Sequence, residues 1–162
     1  MTLLSARSGW VVLASLLAAL LLTLMPLPLW LDRFRPDWVT LALIYWCLAL
    51  PTRVGVGTGW TMGLILDAAK GTLLGQHALA LAVVAWLAVK THQRVRTLPL
   101  PHQALIVCGY LLTGRLLVLW INGMIGYPPR NGWALTPVLG GMLLWPLVFV
   151  ALRDLRRRFG VA

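Results

Sequence analysis

The amino-acid sequence predicts an all-α membrane protein, a polytopic bundle of about six transmembrane helices, and three observations carry that prediction. Hydrophobic residues make up 60% of the 162-residue chain and charged residues 11%, with a mean hydropathy of +0.84. So little polar surface cannot keep a small globule in water. The apolar residues gather into six runs separated by short polar segments. The 14 basic residues, set against four acids, collect on alternate connections. A net charge of +10 would suggest a nucleic-acid partner in a soluble chain. Here the cations flank apolar runs, where they set topology and meet anionic lipid, and no nucleic acid is expected.

The first run, 10–31, has 22 residues. As a helix it extends about 33 Å at ~1.5 Å per residue, enough to cross a bilayer core of about 30 Å. It exceeds the roughly 7–15 residues of a signal-peptide core and is expected to stay as the first transmembrane helix. DRFRPDW (32–38) then turns the chain, with Pro36 suited to a connection or a helix start. Runs 38–51 and 54–67 lie on either side of Pro51-Thr52-Arg53, and run 77–90 ends at Lys90. All three are short. Drawing residues 39–89 as two crossings instead puts Pro51 and Arg53 in mid-bilayer, where an Arg costs about 2.5–3.5 kcal/mol. Three short or tilted crossings avoid that cost, which favours six passes over five. The linker KTHQRVRTLPLPHQ (90–103), run 104–121, the turn YPPRNGW (127–133), run 134–152 and the tail RDLRRRFGVA complete one integral membrane domain over 1–162.

With six passes and a cytoplasmic N-terminus, the cytoplasmic segments hold nine basic residues: Arg7, Arg53, Lys90, Arg94, Arg96, Arg153, Arg156, Arg157 and Arg158. The outer segments hold Arg33, Arg35, Lys70 and Arg130, and Arg115 falls inside the fifth run. This bias matches the positive-inside rule with both termini cytoplasmic. Lys90, Arg94 and Arg96 with the four tail arginines form a basic surface, available to anionic lipid or to a cytoplasmic partner. Trp10, Trp30, Trp38 and Trp133 fall near expected interfaces, while Trp46, Trp86 and Trp145 lie deeper and are expected between helices.

VGVGTGWTMGLILDAAKGTLLGQH (54–77) holds six glycines around one acid. Gly55, Gly59, Gly63, Asp67, Gly71 and Gly75 recur every four residues, which on one helix makes a slowly drifting ridge. In lipid, small residues let helix backbones approach closely, so the ridge predicts a groove for another helix, from this chain or from a partner. Three readings of Asp67 stand open. It marks the outer interface or pairs with Lys70; it neutralises Arg115, at a similar depth in the fifth run; or it binds a solute or partner.

Catalysis is not expected. Asp32, Asp37, Asp67 and Asp154 are the only acids, and two of them share a turn with Arg33 and Arg35. No metalloprotease, nucleophile-elbow or phosphate-loop pattern occurs. His77, His92 and His102 lack ligand spacing, and Cys47 and Cys108 sit in apolar runs, so neither a metal nor a cofactor is expected.

RPDW (35–38), YWCLALPTRVG (45–55), GLILDAAKGTLLGQHAL (63–79) and WING (120–123), in this order and spacing, closely resemble the MreD family of rod shape-determining membrane proteins. The resemblance covers nearly the whole chain. It implies a non-enzymatic inner-membrane subunit of the bacterial cell-elongation machinery, which maintains rod shape by organising peptidoglycan synthesis. MreC, the MreB filament system, the RodA glycosyltransferase and a penicillin-binding transpeptidase are the implied partners, with a helix of MreC expected in the glycine groove. It also implies a fold similar to the substrate-binding subunits of energy-coupling-factor transporters. The alternative from another class is a small-solute-binding transport subunit, which needs a polar cavity between helices.

Overall fold

The computed structural model describes residues 2–129, 132 and 134–161, with the backbone alone for residues 2–6. Arg130, Asn131 and Trp133 of the expected outer turn lie outside the described residues. The described chain is all-helical. Its elements are α1 (Thr2–Leu24), α2 (Leu29–Asp32), α3 (Trp38–Ala49), α4 (Val56–Lys70), α5 (Gln76–Arg96), α6 (Leu100–Met124) and α7 (Thr136–Arg158).

Helix limits depart from the apolar runs for local reasons. α1 stops at Leu24, although the first run continues to Leu31, because Pro26 and Pro28 follow. Proline lacks the N–H a helix needs and disfavours the helical conformation in the residue before it. The rest of that run forms the separate short helix α2. At the other extreme, α5 carries its backbone ladder through His92 and Arg94 to Arg96, six residues past the end of its apolar run at Lys90. Among the described residues three helices are both long and apolar enough to cross a membrane, over Arg7–Leu24, Leu100–Met124 and Thr136–Arg158, and α3 is a shorter apolar helix.

α3 is the centre of the bundle. Its residues Val39 to Leu48 are all buried, as expected for a helix apolar on every face. α5, α1 and α7 pack around it, α4 and α6 pack on α5, and α7 closes against α6. Trp46 and Trp145 are fully buried between these helices, and the Trp46 indole N–H donates to Ser15 Oγ at 2.8 Å. Trp86 corrects the expectation of a deep position: it is 50% exposed, with the Lys90 ammonium 4.6 Å from its ring centre. α5 therefore turns that face outward.

The long helices alternate in direction. One end of the bundle collects the α2–α3, α4–α5 and α6–α7 connections; there Arg35 donates to the Leu22 carbonyl at 3.2 Å and Thr136 to the Arg33 carbonyl at 2.7 Å. The opposite end collects the α3–α4 and α5–α6 connections, and there Arg53 donates to the Ser8 hydroxyl.

Candidate functional site

Asp67 lies in the last turn of α4 and is completely buried. α4 ends at Gly71, whose φ of +66° is left-handed, and α5 starts after Gly75, with φ +101°. These two glycines reverse the chain within five residues, since glycine adopts such angles without a side-chain penalty. The reversal lays the N-terminus of α5 on the carboxylate. Asp67 Oδ2 accepts from the backbone N–H of Gly75 at 3.0 Å and of Ala78 at 3.3 Å, and Oδ1 accepts from the N–H of His77 at 3.0 Å. The Thr72 hydroxyl donates to Oδ1 at 2.9 Å, and His77 Nδ1 lies 2.7 Å from the same oxygen. An ionised carboxylate only accepts, so Nδ1 carries the proton. One acid from α4 thus caps α5, where unpaired N–H groups and the positive end of the helix dipole both favour negative charge.

The neighbouring contacts extend this junction. Gln76 Nε2 donates to Asn122 Oδ1 at 2.8 Å, tying the start of α5 to the end of α6. Beside His77, a cavity of about 50 Å³ lies between α3, α5, α6 and α7, and Asp37, Thr40 and Arg115 line it. Thr40 donates to Asp37 Oδ2 at 2.7 Å, while Asp37 Oδ1 is buried without a partner. A space of this size holds a few waters, and buried waters commonly satisfy such an oxygen. Small-molecule pockets run to about 300–1,000 Å³.

Asp67 and Arg115 are not brought together. Arg115 donates through Nε to the Ala134 carbonyl at 2.8 Å, and its nearest charge influence is Asp37. Asp32 pairs with Arg35 at 3.4 Å, and the side chain that meets the Asp67 carboxylate from α5 is the His77 imidazole, at 2.7 Å. Lys70 therefore does not pair with Asp67 either.

The glycine groove requires a correction. Gly59 and Gly63 do let a helix in, but that helix is α5 of the same chain. A Cβ on Gly63 would stand 2.3 Å from Ala78 Cα, and one on Gly59 would stand 2.7 Å from the Leu81 carbonyl oxygen. Gly55 lies before α4 and would only touch Val89, while Gly71 and Gly75 sit at the reversal with open space around them. The five glycines are thus a packing seam plus a turn, and no partner helix has room in the seam.

The basic residues gather at the end of the bundle opposite Asp67. Lys90, Arg94 and Arg96 are exposed on the last turns of α5; Arg153, Arg157 and Arg158 are exposed on α7, with Arg156 half-buried. Sequence reasoning weighed His77 only as a metal ligand and passed over Asn122 and Gln76. The signal for Gln76 and His77 is the pair of glycines that folds residue 77 back onto residue 67; Asn122, 46 residues further on, has no such signal. Gly140 was also passed over; a Cβ there would stand 2.5 Å from the Phe34 carbonyl oxygen, which brings α7 against the turn before α3. Among the described residues no group of three or more His, Cys, Asp or Glu is placed to hold a metal ion.

Asp67, Gln76 and His77, Asn122 and Asp37 come from three of the four stretches that carry the family resemblance. Comparison with known proteins agrees with it. A family model described as rod shape-determining protein MreD matches residues 6–155. The rod shape-determining protein MreD of Haemophilus influenzae is 32% identical over 147 residues, covering 91% of this chain and 91% of the relative. No solved structure matches.

Proposed function

Because this chain belongs to the MreD family of rod shape-determining proteins, we propose that it is a non-enzymatic, multi-pass inner-membrane subunit that organises peptidoglycan synthesis during cell elongation. One observation carries the non-enzymatic reading: the fully buried carboxylate serves five donors of its own chain. A group so occupied is a fastener between helices, with no oxygen left to act as a base or nucleophile.

In this reading every helix but α2 crosses the membrane, the shorter ones included, the Asp67 end faces outward, and both termini are cytoplasmic. The alternating helix directions support it, as does the gathering of nine basic residues at one end. MreC, the MreB filament system, RodA and a penicillin-binding transpeptidase are the proposed partners. Since α5 fills the glycine seam, partner helices pack on the outward faces of the bundle. The alternative, solute binding in the manner of energy-coupling-factor transport subunits, gains little from cavities of about 50 and 190 Å³, both below the ~300–1,000 Å³ of small-molecule pockets.

Complementation tests the proposal. In a rod-shaped bacterium lacking its own family member, this chain is expected to restore rods and to co-purify with MreC from membranes. Spherical cells despite full membrane insertion would overturn the proposal.

A further inference from the structure

Three guanidiniums converge on one cavity at the end of the bundle remote from Asp67. The cavity, about 190 Å³, lies where α3 and α5 end, α6 begins and α7 makes its last turns. Arg96, Arg153 and Arg156 line it together with Gln103, over Tyr45 and Phe149. The two rings pack edge to face, 5.7 Å between centroids, and the Arg153 guanidinium lies 5.9 Å from the Phe149 ring centre. Among the described residues no acid lines the cavity, and none of the three arginines is in an ion pair. Arg156 donates its Nε to the Val161 carbonyl at 3.0 Å, and its charge also faces the Tyr45 hydroxyl within the cavity. Like charges gathered this closely repel one another, and an anion is the complement that reverses the sign of that interaction.

Two further features point to a ligand. Gln103 is 5% exposed, and its amide nitrogen donates to the Val95 carbonyl at 3.1 Å and the Leu98 carbonyl at 3.0 Å. Those bonds fix which way the amide faces and leave Oε1 buried with no donor. The N-terminus of α6, where Gln103 sits, has Pro99 as its cap residue and no side-chain cap, so its positive end is also uncompensated. The site therefore presents positive charge suited to an anion and, beside it, an acceptor suited to a hydrogen-bond donor. The volume falls below the ~300–1,000 Å³ of whole-ligand pockets, which suits a headgroup whose chains stay outside in the bilayer. The position suits this as well, at the level where the apolar parts of α5 and α7 give way to basic residues.

We propose that this cavity binds the headgroup of an acidic glycerophospholipid from the leaflet at this end of the bundle. The phosphodiester sits against Arg96, Arg153 and Arg156, and a headgroup hydroxyl, as in phosphatidylglycerol, donates to Gln103 Oε1. This goes beyond the shape-determining reading. It is tested on purified protein, so its failure leaves the complementation result untouched.

Lipid retention by the full-length chain is read by native mass spectrometry during titration with phosphatidylglycerol. The wild type is expected to hold one phosphatidylglycerol in preference to phosphatidylcholine, and in preference to phosphatidylmethanol, which has the charge without the hydroxyl. Arg96→Gln, Arg153→Gln and Arg156→Gln should each weaken retention about fivefold, the usual worth of one basic residue at a membrane surface. Arg94→Gln and Arg158→Gln, outside the cavity at the same end, should weaken it less than twofold. Equal losses in the two sets would mean diffuse attraction without a site and would overturn the proposal. Displacement of the lipid by millimolar inorganic phosphate would also overturn it, assigning the cavity to free phosphate. Should the cavity variants fail to fold, the wild-type lipid series decides alone: no preference for phosphatidylglycerol sinks the site.

Discussion

The Asp67 carboxylate shows how one side chain can hold two helices that hydrophobicity alone would leave free to slide. In a membrane the apolar surface of a helix is as well solvated by lipid chains as by its neighbour, so polar bonds and close packing decide association. Asp67 supplies both in one place, accepting three backbone N–H groups at the start of α5. Asp67→Asn keeps one acceptor oxygen but points an NH₂ group at donors, and Asp67→Ala leaves buried N–H groups unpaired at about 1–3 kcal/mol each. Either change is expected to destabilise the purified protein by about 3 kcal/mol, the low end for leaving three buried donors unpaired. Unfolding in detergent measures it. The same experiment separates Asp67 from Arg115, whose hydrogen bond goes to Ala134. Asp67→Asn and Arg115→Gln should add within about 0.5 kcal/mol in the double variant, and a larger coupling would restore the direct pair.

Helix pairs such as α4 and α5 expose a second level of control, because their contact distance is set by what is missing from it. Gly63→Ala would place a methyl group 2.3 Å from Ala78 Cα and 2.5 Å from Ala78 N, backbone atoms that cannot swing aside. The expected cost is about 3 kcal/mol, the upper range for overpacking. Gly109→Ala in α6 meets nothing within 4 Å and should stabilise by about 0.5–1 kcal/mol, because alanine favours the helix. Thermal unfolding of the two variants side by side checks this; equal effects would mean that the seam does not position α5. The contrast also explains what could be read from the sequence. A four-residue glycine spacing encodes a surface fit for close approach, and that much was legible. It carries no information about which helix arrives, so α5 could not be told from a partner. The capping role of Asp67 was hidden for a related reason, since its backbone donors lie eight to eleven residues ahead and meet it only because Gly71 and Gly75 take left-handed angles. Apolar runs located the helices and misjudged their ends. Hydropathy follows side chains, whereas the backbone ladder continues into polar residues in α5 and is cut by proline after α1.

At the scale of the whole molecule, the fold sorts its charges along the bundle. Asp32, Asp37 and Asp67 lie toward one end, and Asp154 alone among the acids joins the large basic group at the other. Positive charge concentrated at one end fixes which way a helical bundle sits in a membrane, since cytoplasmic connections accumulate Lys and Arg. α6 provides the most direct check, because its 25 residues extend about 37 Å at ~1.5 Å per residue, more than the ~30 Å core. Thr97 lies in the exposed turn before α6, and Tyr127, 76% exposed, lies just after it. Cys47 is buried in α3 and Cys108 half-buried within α6, so cysteines introduced at 97 and 127 are the ones a membrane-impermeant maleimide should reach. In spheroplasts, Tyr127→Cys should label and Thr97→Cys should stay silent; in inverted vesicles the pattern should reverse. Labelling of both from one side would mean that α6 does not cross, and the six-pass topology would fall with it. The opposite polarity would keep α6 as a crossing but turn the arginine-lined cavity toward the outer leaflet. A bundle carrying nine of its 14 basic residues at that end should resist this orientation, because moving them to the outer side runs against the positive-inside bias.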